Sequence, residues 1–141
     1  MYYWLIFIAV AVISQILKFI IYWIKDKKPD FRKLVEPGGM PSAHTSSFVA
    51  LTTAIGIGEG VGSSAFSISL CLTLFIMYEA GGLRRAAGRQ AEILNKIVQM
   101  LFKEHKFPYV PLREIWGHTP LEILCGAFLG VSLGFLFSYI F

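Results

Sequence analysis

MYYWLIFIAVAVISQILKFIIYWI, residues 1–24, decides the fold. The run is as long as a helix must be to cross the hydrocarbon core of a bilayer. Its only polar interruptions are Ser14, Gln15 and Lys18. Gln15 and Lys18 are three positions apart, so on a helix they share a face. A lysine there either snorkels towards the headgroups or serves a site; Gln15 on the same face favours a site.

Composition agrees with that first run. The chain has 141 residues, of which 55% are hydrophobic and only 16% charged, and its mean hydropathy is +0.62. A soluble domain carries about a quarter charged residues, so the sequence reads as a single-domain, all-α integral membrane protein. Cys71 and Cys125 lie in apolar runs and read as small reduced residues. Because the first run lacks a basic leading region and a small-residue cleavage site, it reads as a span and not a cleaved leader.

Further apolar runs follow at Ser42–Gly58, Ser64–Tyr78 and Pro120–Phe141, giving an expectation of about four transmembrane helices. The glycine-rich loop from Gly58 to Gly62 makes the second and third an antiparallel hairpin. Between the third and fourth lies LRRAAGRQAEILNKIVQMLFKEHK, residues 83–106. Ile93, Ile97, Met100 and Leu101 recur at helical spacing, and Ala86, Ala87, Gly88 and Ala91 form a small-residue stripe. This predicts an amphipathic helix, packed on the bundle in its first half and lying at the membrane interface in its second. Lys96 to His105 read as an ordinary solvated face.

Positive charge collects on one side. Lys25, Lys27, Lys28, Arg32 and Lys33 occupy the first loop, and Arg84 through Arg113 supply seven more cations, whereas the 58–62 loop carries only Glu59. With four spans, the positive-inside rule puts the basic loops in the cytoplasm and both termini outside. The net charge of +4 favours contact with anionic lipid headgroups; no nucleic-acid partner is expected. A homodimer is a further, weaker expectation, resting on the small-residue stripe and the apolar Gly126-Ala127-Phe128-Leu129-Gly130 segment.

Four polar elements gather at the basic end of the spans. They are Gln15 and Lys18, then Gly39-Met40-Pro41-Ser42-Ala43-His44, then EAGGLRRAAGRQAE at 79–92, then GHTPLE at 117–122. Lysine, arginine, a serine hydroxyl and helix N-terminal amides are the groups that hold a phosphate dianion. Two histidines beside such a cradle can divide nucleophile and general-acid roles.

PSAH followed by HxxxE resembles the type 2 phosphatidic acid phosphatase superfamily, which includes vanadium haloperoxidases. Its pattern is KxxxxxxRP, PSGH and SRxxxxxHxxxD. Closer is the resemblance to its divergent, small membrane branch, with a glutamine and lysine in the first span, GGMPSxH, an acidic residue before GxRRxAGxQA, and GHxPxE. The resemblance covers essentially the whole chain. It implies a lipid phosphate phosphatase that needs no metal or cofactor, acting through a phosphohistidine. By that resemblance His118 is the nucleophile, Glu122 orients it, and His44 protonates the leaving alcohol. Lys18, Ser42 and an arginine bind the phosphoryl group, with Gln15, Glu79 and Gly39 in support. Two arginine positions differ: Lys25 stands seven after Lys18, and Leu112 six before His118. The missing cation is therefore assigned to Arg84 or Arg85. These are adjacent on a helix and diverge by roughly 100°, so at most one of them faces the phosphate.

Plainer roles stand beside these. Thr119-Pro120-Leu121-Glu122 fits a capping box, a duty that on sequence alone competes with orienting His118. Arg84 and Arg85 suit anchors to anionic lipid, Glu79 suits an ion pair with one of them, and His44 and His118 suit helix-end residues. A non-catalytic anionic-lipid-binding or assembly protein is the alternative function. A metal site of His44, His118, Glu79 and Glu122 is a third reading, ranked below both because no HExxH or ExxH pattern sets these residues on one helix face.

Overall fold

The computed structural model describes residues 2–27, 29, 31, 39–101, 111, 112 and 117–140. Five helices follow in order: α1 (Tyr3–Asp26), α2 (Ala43–Glu59), α3 (Ser64–Gly81), α4 (Leu83–Leu101) and α5 (Pro120–Ile140). Among the described residues, three stretches can cross a membrane by length and composition: Tyr3–Lys25, the Ser64–Leu101 stretch that α3 opens, and Pro120–Ile140. The protein is an all-helical membrane bundle.

The expected second span differs from the other three. α2 has only 17 residues and is rich in hydroxyls, yet it is the hub of the bundle, packing on α5, α1 and α3. Being surrounded, it needs neither full span length nor a lipid-compatible surface. Ser14 Oγ of α1 and Ser46 Oγ of α2 share a 2.6 Å hydrogen bond. Thr52 Oγ1 and Thr73 Oγ1 join α2 to α3 at 2.8 Å. Apolar burial adds little between helices already in lipid, so hydroxyl bonds and close backbone approach do the joining.

That close approach is clearest on α5. Gly126, Gly130 and Gly134 are buried one turn apart. A Cβ at Gly126 would sit 2.8 Å from the Ser42 carbonyl oxygen, and one at Gly130 only 2.5 Å from that of Ser46. The glycine pattern is therefore filled by α2 of the same chain.

α3 begins at its cap, Ser63, whose Oγ accepts from Phe66 N at 3.1 Å. Gly60, at φ +85°, makes the preceding turn in a conformation that favours glycine. The start of α1 lies against Gly58 near the end of α2, so the bundle has two distinct ends. Exposed Tyr2, Trp4 and Tyr139 mark one, and exposed Trp23 and Tyr78 the other. Trp4 and Trp23 are separated by roughly 28 Å of helix at 1.5 Å per residue, close to the hydrocarbon thickness that aromatic belts bracket. All four polar elements lie at the Trp23–Tyr78 end.

α4 touches only α3 among the described helices. Ile93, Ile97, Met100 and Leu101 are exposed, while Gly88 and Asn95 are buried on another face.

Candidate functional site

His118 is 3% exposed. Its backbone N–H donates to Ala80 O at the end of α3 (3.0 Å), which fixes it between α3 and α5. Its ring Nδ1 lies 3.0 Å from Glu122 Oε2, one turn into α5. The same carboxylate oxygen accepts the Thr119 N–H at 3.1 Å, and Thr119 Oγ1 accepts the Glu122 N–H at 3.3 Å. So the capping box forms and the imidazole is held at once. The two duties that compete on sequence alone are met by one oxygen with two donors. A carboxylate only accepts, so Nδ1 carries the hydrogen and the lone pair falls on Nε2.

α5 in turn holds the start of α2. Ser42 N donates to Glu122 O at 3.3 Å, directly behind the Glu122 side chain. Ser42 is the fully buried N-cap of α2. Its Oγ accepts from Thr45 N at 3.4 Å and from Thr45 Oγ1 at 3.0 Å. With both acceptor positions taken, the hydroxyl hydrogen is what Ser42 has left to offer.

The preceding loop reaches α1. Gly39 has φ +90°, and a Cβ on it would meet Tyr22 Oη at 2.8 Å and Lys18 Cδ at 3.2 Å. Both the conformation and the space call for glycine. Lys18 is 3% exposed and lies on one stripe with Ile6, Val10 and Ser14, all buried. A buried ammonium this near the loop contradicts a snorkelling lysine. Gln15 is half-buried, and its Oε1 is buried with no hydrogen-bond partner among the described residues. A buried unpaired acceptor is costly, and it lies one turn from Lys18.

Contacts, with the short chain segment between Gly39 and Ser42, therefore link Lys18 through Gly39, Ser42, Glu122 and His118 to Ala80, beside Glu79. His44 is exposed, the second residue of α2, at the same end. Arg84 and Arg85 belong to the first turn of α4; their side chains lie outside the described residues. Among the described residues, no three His, Cys, Asp or Glu side chains group as metal ligands would.

Asn95 was not singled out by sequence. It is 7% exposed; its Nδ2 donates to Leu112 O, and its Oδ1 accepts from Leu112 N, each at 2.9 Å. This paired amide ties α4 to the stretch that leads to His118. The signal available was one uncharged polar residue, beside Lys96, among Ile93, Leu94, Ile97 and Val98, which also suits an ordinary interfacial helix.

The family model described as the divergent PAP2 family matches residues 2–133, nearly the whole chain. The chain belongs to the divergent PAP2 family. A curated relative, the uncharacterized membrane protein YuiD of Bacillus subtilis (strain 168), is 32% identical over 145 residues, covering 95% of this chain and 92% of the relative. No solved structure matches the chain significantly. The divergent PAP2 match includes every residue of the contact series from Lys18 to Glu122, and the sequence resemblance is borne out at the level of the family.

Proposed function

We propose that this PAP2-related membrane protein is a phosphatase of lipid phosphomonoesters, working through a phosphohistidine without a metal ion. The observation that carries the reading is the buried His118 whose Nδ1 is held by Glu122 Oε2 at 3.0 Å, at the bundle end that also buries Lys18 and Ser42. Nε2 of His118 attacks phosphorus, and the ester oxygen leaves with its bonding pair and takes a proton from His44. His44 then accepts a proton from water as that water attacks the phosphohistidine, releasing phosphate and restoring Nε2. Lys18 and the Ser42 hydroxyl stabilise the phosphoryl oxygens, the largest contribution expected in such transfers.

Of the two arginines, the register of α4 favours Arg84 as the remaining cation. It shares its helical row with buried Gly88 and Asn95, whereas Arg85 shares one with exposed Arg89 and Lys96. The basic loops at this end argue for a cytoplasmic site with both termini outside. A lipid phosphate made on that side is accordingly preferred, phosphatidylglycerophosphate before phosphatidate or an isoprenoid phosphate.

The test is phosphate release by the purified protein from a panel of lipid phosphates in mixed micelles with chelator, beside His118→Ala. Turnover abolished by the substitution supports the enzyme and names its substrate. Folded protein that binds anionic lipid but releases no phosphate from any member of the panel would replace the proposal by the lipid-binding alternative.

A further inference from the structure

α1 and α5 both pack on α2 but touch each other only sparingly. The cleft left between them at the site end is an open groove of about 480 Å³ with an almost wholly apolar lining. Leu17 and Ile21 form one wall, Leu124, Cys125 and Phe128 the other, and Pro41 belongs to its lining.

Each lining segment continues directly into the candidate site. Leu17 precedes the buried Lys18. Pro41 precedes Ser42, whose N–H is bonded to Glu122 O. Leu124 follows Glu122 by two residues, in the first turns of α5. Groove and polar cluster are thus two sides of the same short segments, one side apolar and open to lipid, the other cationic and buried. An amphiphile with an anionic head matches that division: its charge meets Lys18 while its chain stays out of water.

We infer that this groove holds a hydrocarbon chain of the lipid phosphate whose head occupies the site. The inference rests on the phosphatase reading for the identity of the head. It makes the groove, and no headgroup motif, the part of the protein that selects long-chain substrates. A second apolar groove, of about 730 Å³ and including Trp4, Phe7 and Leu51 in its lining, lies at the far end of α1. Neither groove has a cation among its described lining residues, but no lining residue of the second adjoins a buried lysine as Leu17 does, so it serves as an internal comparison for lipid that merely coats the bundle.

The experiment uses phosphatidate carrying a diazirine on its acyl chain, photolysed with the full-length protein in mixed micelles, and the adducts mapped by peptide mass spectrometry. Adducts are expected at Leu17, Ile21 and the 124–128 segment at several times the level at Trp4 and Phe7. Unlabelled phosphatidate should remove this excess, and diacylglycerol with the same labelled chain should not produce it. Equal labelling of the two grooves, or an excess that diacylglycerol reproduces, overturns the inference. Cys125→Trp, which narrows the groove, should lower the preference for a long-chain over a short-chain phosphate about tenfold, the loss of roughly two buried methylenes. The failures are distinguishable. Groove-selective labelling without phosphate release keeps the groove and removes the phosphatase; phosphate release with uniform labelling does the reverse.

Discussion

Replacing Glu122 by glutamine separates what its charge does from what its geometry does. Two N–H donors converge on one oxygen, from Thr119 N at 3.1 Å and His118 Nδ1 at 3.0 Å. A glutamine must present its carbonyl oxygen to both, since its amide group would face two donors. Glu122→Gln therefore keeps the helix cap, the imidazole tautomer and the ring orientation, and loses only the negative charge. Charge-assisted hydrogen bonds are worth about 1.5–3 kcal/mol and neutral ones about 0.5–1.5, a difference of roughly 1–1.5 kcal/mol. That corresponds to about a tenfold fall in kcat, with a loss of stability of at most about the same size. Glu122→Ala removes the oxygen altogether. It should cost about 1 kcal/mol of stability through the lost cap and at least about a thousandfold in kcat through the lost tautomer. The assay is phosphate release under saturating lipid phosphate, paired with thermal unfolding in the same detergent. Wild-type turnover by Glu122→Gln and Glu122→Ala alike would refute the reasoning and leave Glu122 as a cap alone. A glutamine variant as slow as the alanine one would refute the division of charge from geometry.

Gly130→Ala should destabilise the bundle by about 1–3 kcal/mol through overpacking, because the new Cβ meets the Ser46 carbonyl at 2.5 Å; Gly62→Ala, in open space, should leave the melting temperature unchanged. Asn95→Ala strands the Leu112 backbone pair and should cost about 1–3 kcal/mol. Its mark would be faster hydrogen exchange at the Leu112 amide, and unchanged exchange there would sink the clamp. Orthovanadate, a phosphate analogue, should raise the melting temperature of the wild type; Lys18→Met should reduce phosphate release about a hundredfold or more and abolish that rise, and a rise retained in the variant would show that Lys18 does not face the phosphoryl group.

Much of this was legible in the sequence because it is local. Apolar runs of span length locate α1, α3 and α5, and the Thr119–Glu122 spacing gives the cap that the hydrogen bonds realise. Sequence did less well where the outcome depends on what lies opposite. The Gly126–Gly130 pattern says that a backbone approaches closely but not whose, and the partner proved to be α2. Asn95 and Leu112 are 17 positions apart, and no periodicity connects them. Glu122 serving two donors through one oxygen is a matter of angle and distance, which spacing does not encode. α2 resembles a weak span because hydropathy scores a helix alone, whereas its hydroxyls are satisfied partly by α1 and α3 and partly by its own cap and backbone.

The same short helix bears on how the chain reaches the bilayer at all. Partitioning of a segment leaving the ribosome depends on its own length and apolarity, and α2 at 17 hydroxyl-rich residues is poorly endowed in both. The tight turn to α3 lets the more hydrophobic segment carry it in as a pair, with the Thr52–Thr73 bond sealing the hairpin. The chain order sets the order of synthesis: α1 is made first, the α2–α3 hairpin next, and the glycine face of α5, which packs on α2, last. Only at that final step do Ser42, Glu122 and His118 come together, so a nascent chain without α5 carries no assembled site.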